Sequence, residues 1–146
     1  MKIVVQRVHK ASVKVHDKEI GSISGGLLLL VGIRQGDTEE QARWLVKKVL
    51  NMRIFEDEEG KMNRSVKDTK GSILIVPNFT LYADASQGNR PGFSDAEAPD
   101  KAQKRYNAMI QMFREATTQP VETGEFGADM DVELINHGPV TIILEK

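Results

Sequence analysis

Apolar and polar positions alternate from Lys2 to Val8 and again from Ser12 to Val15, with β-branched residues prominent among the apolar ones. That two-residue period predicts half-buried strands. Asp17-Lys18 is a plausible hairpin turn into a further strand, Ile20–Ile23. Gly25-Gly26 then breaks the chain before Leu27–Ile33, a continuous apolar run that reads as a strand buried on both faces. The period changes at Thr38. Ala42, Leu45, Val46, Val49 and Leu50 fall on one side of a helix, and Thr38 with Gln41 forms a capping box at its start. A second helix begins near Pro99-Asp100 and repeats the pattern with Ala102, Tyr106, Met109, Ile110 and Phe113.

Between the helices, Ser72–Val76 and Phe79–Ala83 read as strands separated by Pro77. After the second helix come Val121–Thr123, Val132–Ile135 and Val140–Leu144, the last two joined by the turn residues Asn136-His137-Gly138-Pro139. Many strands with only two helices, not in strict alternation, predict an α+β fold. The expected architecture is a twisted mixed or antiparallel sheet, or a partly closed barrel, with two amphipathic helices on one side. No linker, repeat or low-complexity tract interrupts residues 1–146, so a single domain is expected.

Composition narrows the chemistry. With 28% charged and 40% hydrophobic residues the chain is of ordinary globular type, and with no cysteine it has neither disulfides nor thiol catalysis. The longest apolar run is too short to span a bilayer, and the N-terminus turns polar too soon for a signal peptide, so a cytoplasmic protein without membrane contact is expected. The net charge of −1 is unevenly spread. Residues 1–70 carry 14 Lys/Arg and 10 Asp/Glu (+4), whereas residues 71–146 carry 6 and 11 (−5). The basic excess lies in Lys2/Arg7/Lys10/Lys14, Arg43/Lys47/Lys48/Arg53 and Lys61/Arg64/Lys67/Lys70. These are either solvated faces or a side that meets phosphates. Aromatics are only 5%, which argues against base stacking along a single strand.

Several familiar sites are absent. His9, His16 and His137 are isolated, with no zinc-ligand spacing, and there is no P-loop, dinucleotide fingerprint or nucleophile elbow. Glu56–Gly60 reads as a solvated acidic turn. Two segments combine polar groups with a restricted backbone. Pro77-Asn78-Phe79-Thr80-Leu81 sets a hydroxyl and an amide beside N–H groups at a strand interruption. Asn136-His137-Gly138-Pro139-Val140-Thr141 contains a glycine that admits close backbone approach, before one of the few bond types that adopts cis cheaply. Taken singly, each reads as a turn sooner than as a site.

Together with their surroundings they resemble a family. Val5–Val8, Asn51–Asp57 with Gly60–Asn63, Phe79–Asp84, Arg90–Ala96, Phe126–Met130 and Asn136-x-Gly138-Pro139-Val140-Thr141 are similar, in order and over the whole chain, to bacterial D-aminoacyl-tRNA deacylases. The resemblance implies an enzyme that hydrolyses the ester between a D-amino acid and the 3′-terminal ribose of tRNA. It implies a homodimer, no cofactor and no metal. Gly138-Pro139 is implied to be a cis dipeptide inserted into the partner's site, where a backbone wall rejects L-amino acids and leaves glycyl-tRNA as an expected leak. Arg7 would brace that loop, Asn136 belongs to the same motif, and Met130 with Phe79 would wall the adenosine or ester pocket. Asn78, Phe79 and Thr80 are the implied catalytic residues, with backbone N–H groups there stabilising the oxyanion. Thr80 is either the nucleophile or an orienting group beside a substrate assisted by its own ribose 2′-OH.

One departure stands out. The usual Ser-Gln before Phe-Thr-Leu is Pro77-Asn78 here. Proline at that place resembles animal-type relatives that act on mischarged L-alanyl-tRNA, although Phe79 and Val140 match the bacterial residues. A deacylase relaxed toward L-alanyl-tRNA and a non-catalytic module binding the tRNA end are therefore the alternatives.

Overall fold

A computed structural model describes residues Met1–Lys146. The two strands expected at the N-terminus are one, β1 (Lys2–Val15). It continues through His9–Ala11 because β8 (Asp131–Glu145) runs along one edge, pairing Lys10 with Ile135 and Ala11 with Leu134. That edge meets β8 antiparallel from Lys2↔Glu145 to Lys14↔Asp131. The other meets β3 (Gly26–Gly32) along the first half and β2 (Lys18–Ile23) along the second. The hairpin from β1 to β2 turns at His16-Asp17, one residue before the expected place, with φ of 49° and 62°. Two consecutive positive φ values give the turn whose twist matches that of the strands.

β3 lies parallel to β6 (Ser72–Pro77), and β6 parallel to β7 (Val121–Thr123). Each parallel step needs a long crossover. The first carries α1 (Glu39–Asn51) and a small hairpin of β4 (Phe55–Glu56) and β5 (Met62–Arg64); the second carries α2 (Pro99–Ala116). The sheet is therefore mixed, in the order β2-β1-β3-β6-β7 with β8 beside β1, as an α+β fold with two helices predicts. Neither helix is long and apolar enough to cross a membrane.

Both helix readings hold in detail. Thr38 Oγ1 accepts from the Gln41 N–H at 3.3 Å and Gln41 Oε1 accepts from the Thr38 N–H at 2.6 Å. All ten apolar residues assigned to the two helices are buried. Alternation along β3 explains its unbroken apolar run. Leu27, Leu29 and Val31 join Ile73, Ile75 and both helices in the larger core, while Leu28 joins Leu74, Val76, Val8 and Val13 on the opposite face. Each such side chain contributes about 1.5–3 kcal/mol by leaving water.

Two expectations fail. Phe79–Ala83 is not a strand but a 3₁₀ turn, Phe79–Tyr82. Asn78 caps it: its Oδ1 accepts from the Thr80 N–H at 3.2 Å, an alternative to ladder pairing that short Asn side chains readily offer. Nor do Asn136–Pro139 form a turn between two strands. β8 passes straight through, and between the pairs Gln6↔Thr141 and Val8↔Asn136 the single residue Arg7 faces four residues, 137–140. The extra residues bulge outward, and β8 rejoins β1 beyond them.

Candidate active site

The 3₁₀ turn sits where the parallel strands β3 and β6 end, the usual place for a ligand beside a parallel sheet. The Asn78 N–H extends the ladder by one bond to Val31 O, 2.8 Å, before the chain turns away. Gly32 makes the close packing possible. A Cβ there would stand 3.0 Å from Leu81 Cβ and 3.2 Å from Asn78 O.

Beside this turn lies a cleft of about 710 Å³. Its floor comes from Leu30, Val76 and Pro77, one wall from Phe126–Met130, and the other from the start of α2, including Ala102 and Tyr106. Tyr106 is buried and donates its hydroxyl to Ile75 O at 2.8 Å; burial raises its pKa above the ordinary value. Phe79, 59% exposed, stands at the mouth and meets Phe93 edge-on at 5.2 Å. The loop bearing Phe93 is pinned at its base by Arg34–Asp95 (3.2 Å) and by Gln35 Nε2 donating to Ser94 O (2.7 Å).

Asn78, Phe79, Thr80 and Met130 all line this cleft. Thr80 Oγ1 donates to Asn78 Oδ1 at 2.5 Å, so the hydroxyl proton is held by an amide oxygen, which is not a base. No His, Lys or Arg lines the cleft, and its only carboxylates are Glu97 and Asp129. With the Thr80 N–H taken by Asn78, the Phe79 N–H is the donor that the short turn leaves without a partner inside it.

The other expected residues gather elsewhere in the chain. Gly138-Pro139 is cis, exposed, and not among the residues lining the cleft. Behind it Arg7, 2% exposed, donates Nε to His137 O at 3.0 Å and Nη1 to Ile54 O at 2.7 Å, with Glu56 3.8 Å from its Nη2. Asn136 ties the two ends of the bulge together. Its Oδ1 accepts from the Val140 N–H at 2.8 Å, and its Nδ2 donates to Val140 O at 3.3 Å and to Gln6 Oε1. His137 stacks on His9 with ring centroids 3.9 Å apart. Gly138 has φ +129°, and a Cβ on it would lie 2.8 Å from Val140 Cγ2 and 3.0 Å from Arg7 Nη2.

The family model described as D-Tyr-tRNA(Tyr) deacylase matches residues 4–145. The chain belongs to that family. The hydrolase class follows with it, and so does the fold expected from the resemblance. The chain is 54% identical over 146 residues to a D-aminoacyl-tRNA deacylase of Chlorobaculum parvum, covering 100% of this chain and 98% of that protein. It is 52% identical to one of Thermosipho melanesiensis, covering 100% and 97%. A solved structure described as c-Myc DNA Unwinding Element Binding Protein superposes with a TM-score of 0.95 at 42% identity, over 100% of this chain and 99% of that one. Another, described as a probable eukaryotic D-amino acid tRNA deacylase, has a TM-score of 0.83 at 19% identity, over 98% and 97%, and shares the fold.

Sequence reading assigned no role to Phe93, Glu97, Tyr106 or Phe126, all of which line the cleft of this family member. The helical period marks Tyr106 as a core position of α2, which it also is. Phe93 and Phe126 lie in segments that carry the family resemblance, and that was their only signal.

Proposed function

We propose that this protein hydrolyses the ester of D-aminoacyl-tRNA, and of glycyl-tRNA, to free amino acid and tRNA. It acts as a cytoplasmic homodimer in which Gly138-Pro139 of each subunit closes the partner's cleft. The observation that carries the reading is the division of the site into two incomplete halves. One is an open cleft with a hydroxyl, an N–H and no His or Lys; the other is an exposed backbone wedge, held by Arg7 and Asn136, that does not line that cleft. The free edge of β8 supports a second copy: β8 pairs only with β1 and exposes Ile135 (48%) and Ile143 (65%).

In this arrangement the acylated ribose enters the cleft between Phe79 and Met130, and Thr80 with the Phe79 N–H orients the ester carbonyl. Water adds to the carbonyl carbon, the N–H takes the developing oxyanion, and collapse breaks the bond to the 3′ oxygen, which leaves with a proton. Losing one such donor typically costs about 10²–10³ in rate. The Thr80 hydroxyl donates to an amide oxygen and not to a general base, which supports orientation over nucleophilic attack, with the ribose 2′-OH assisting. Against a backbone wedge an L side chain collides, a D side chain points away, and glycine has nothing to exclude.

A deacylation assay on paired D-Tyr-tRNA and L-Tyr-tRNA tests the reading. D-Tyr-tRNA should be hydrolysed and L-Tyr-tRNA spared. Equal rates would remove the chiral wall, and L-alanyl-tRNA cleaved in preference to D-Tyr-tRNA would favour the alternative that Pro77 raises. Binding of tRNA with no hydrolysis at all would favour the non-catalytic module.

A further inference from the structure

Two hollows of about 270 and 400 Å³ lie end to end between α1 and α2, with Met112 shared by both. Six cationic side chains line them: Arg43, Lys47, Lys67, Lys101, Lys104 and Arg105. Only two carboxylates do so, Glu39 and Glu115, and Glu39 is paired with Arg43. Lys47, Lys67, Lys101 and Lys104 have no carboxylate within ion-pairing distance, in a chain whose net charge is −1. Such a concentration of unpaired charge raises a positive potential over one face.

The groove starts at the same end of α2 as the cleft. Ala98, Pro99 and Ala102 at the start of α2 line the cleft, while Lys101 and Lys104, in the same two turns, line the groove. From Lys101 to Glu115 the helix rises about 21 Å, enough for several successive phosphates. At the outer side of α1 stands the single tryptophan, Trp44, 41% exposed, with Lys48 Nζ 5.9 Å and Lys146 Nζ 5.4 Å from its ring centroid.

We infer that the groove between α1 and α2 is the docking surface for the sugar-phosphate backbone of the tRNA acceptor arm, leading outward from a 3′ end seated in the cleft. This rests on the deacylase reading above for its substrate and adds where the rest of that substrate lies. Lys47, Lys101 and Lys104 contact phosphates, which positions the RNA without reading its sequence.

The test compares wild type with K47Q/K101Q/K104Q, and with K10Q/K14Q/K18Q on the β1–β2 hairpin as a control of equal charge change. Affinity for labelled, uncharged tRNA is measured by anisotropy across a salt series, and hydrolysis is measured on D-Tyr-tRNA and on D-tyrosyl-adenosine. The groove variant should lose at least about tenfold in tRNA affinity, with its log–log salt slope reduced by about 2. It should keep wild-type hydrolysis of D-tyrosyl-adenosine, and the control should keep wild-type tRNA affinity. An unaltered slope and affinity in the groove variant overturns the inference, as does an equal loss in the control. A DNA duplex bound as tightly as tRNA overturns the RNA assignment. If wild type hydrolyses neither ester, the deacylase reading falls, and the affinity comparison still decides the groove.

Discussion

The cleft around Asn78–Thr80 and the corner around Arg7 and Asn136 are built on opposite plans. In the cleft, Phe79 is more than half exposed, Thr80 has one side-chain partner, and the walls are the loop Phe126–Met130 and the start of α2. In the corner a buried guanidinium holds two carbonyls, and one amide clamps both ends of the bulge. Space with few fixed groups suits a ligand that arrives with its own reactive atoms. Backbone fixed by several independent bonds suits discrimination by shape, because a wedge that yields by an ångström excludes nothing. The chain has concentrated its fixed bonds away from the open cleft.

Removing the centre of the rigid side should have the largest effect. Arg7→Ala leaves one buried and one half-buried carbonyl without their Arg7 donors and a void behind the bulge, and should cost about 3 kcal/mol in urea denaturation. Discrimination between D- and L-Tyr-tRNA should weaken in whatever folded protein remains. A variant as stable and as selective as wild type would erase the contrast between the two regions. On the open side, Thr80→Ala should change stability by less than about 0.5 kcal/mol. It should lower kcat on D-Tyr-tRNA by about 10²-fold if Thr80 orients the ester. A loss on the order of 10⁶-fold would instead mark a nucleophile.

Gly138→Ala probes the wedge itself. The φ of +129° and the close Val140 and Arg7 atoms predict about 1–3 kcal/mol of destabilisation and a loss of L rejection, read by the paired deacylation assay. The smallest effect concerns pH. Burial, then Arg7 and His9, holds the His137 imidazole below its ordinary 6.5, against an opposing pull from Glu56. The folded chain then binds fewer protons than the unfolded one, so this contribution is complete above about pH 6.5 and is lost as pH falls through the depressed value. Thermal melts between pH 5 and 7.5 should show His137→Gln lacking that acid-side decline; a parallel decline would assign it to other groups.

Sequence reading located both regions but misjudged the backbone of each. Asn78–Thr80 and Gly138-Pro139 were singled out by residue type and by their place in the family resemblance. The 3₁₀ turn was hidden because Phe-Thr-Leu-Tyr has the composition of a strand, and one Asn cap decides otherwise. The bulge was hidden because Asn-His-Gly-Pro reads as a turn, whereas β1 continues past it and keeps both flanks of β8 in one ladder. Phe93 and Glu97 escaped notice since loop residues carry no periodic signal.

What the chain determined alone is what depends on neighbours in sequence: the Thr38 cap, the two amphipathic helices, and the both-faced burial of Leu27–Val31. Those preferences add up over ten or more residues, and no distant contact opposes them. What folding decided are the short segments, where local preference amounts to about 1 kcal/mol and a single bond from elsewhere outweighs it. The Asn78 N–H against Val31 O, Arg7 against His137 O and the pairing of β8 along β1 are such bonds, and they place the open cleft and the wedge on different parts of one chain.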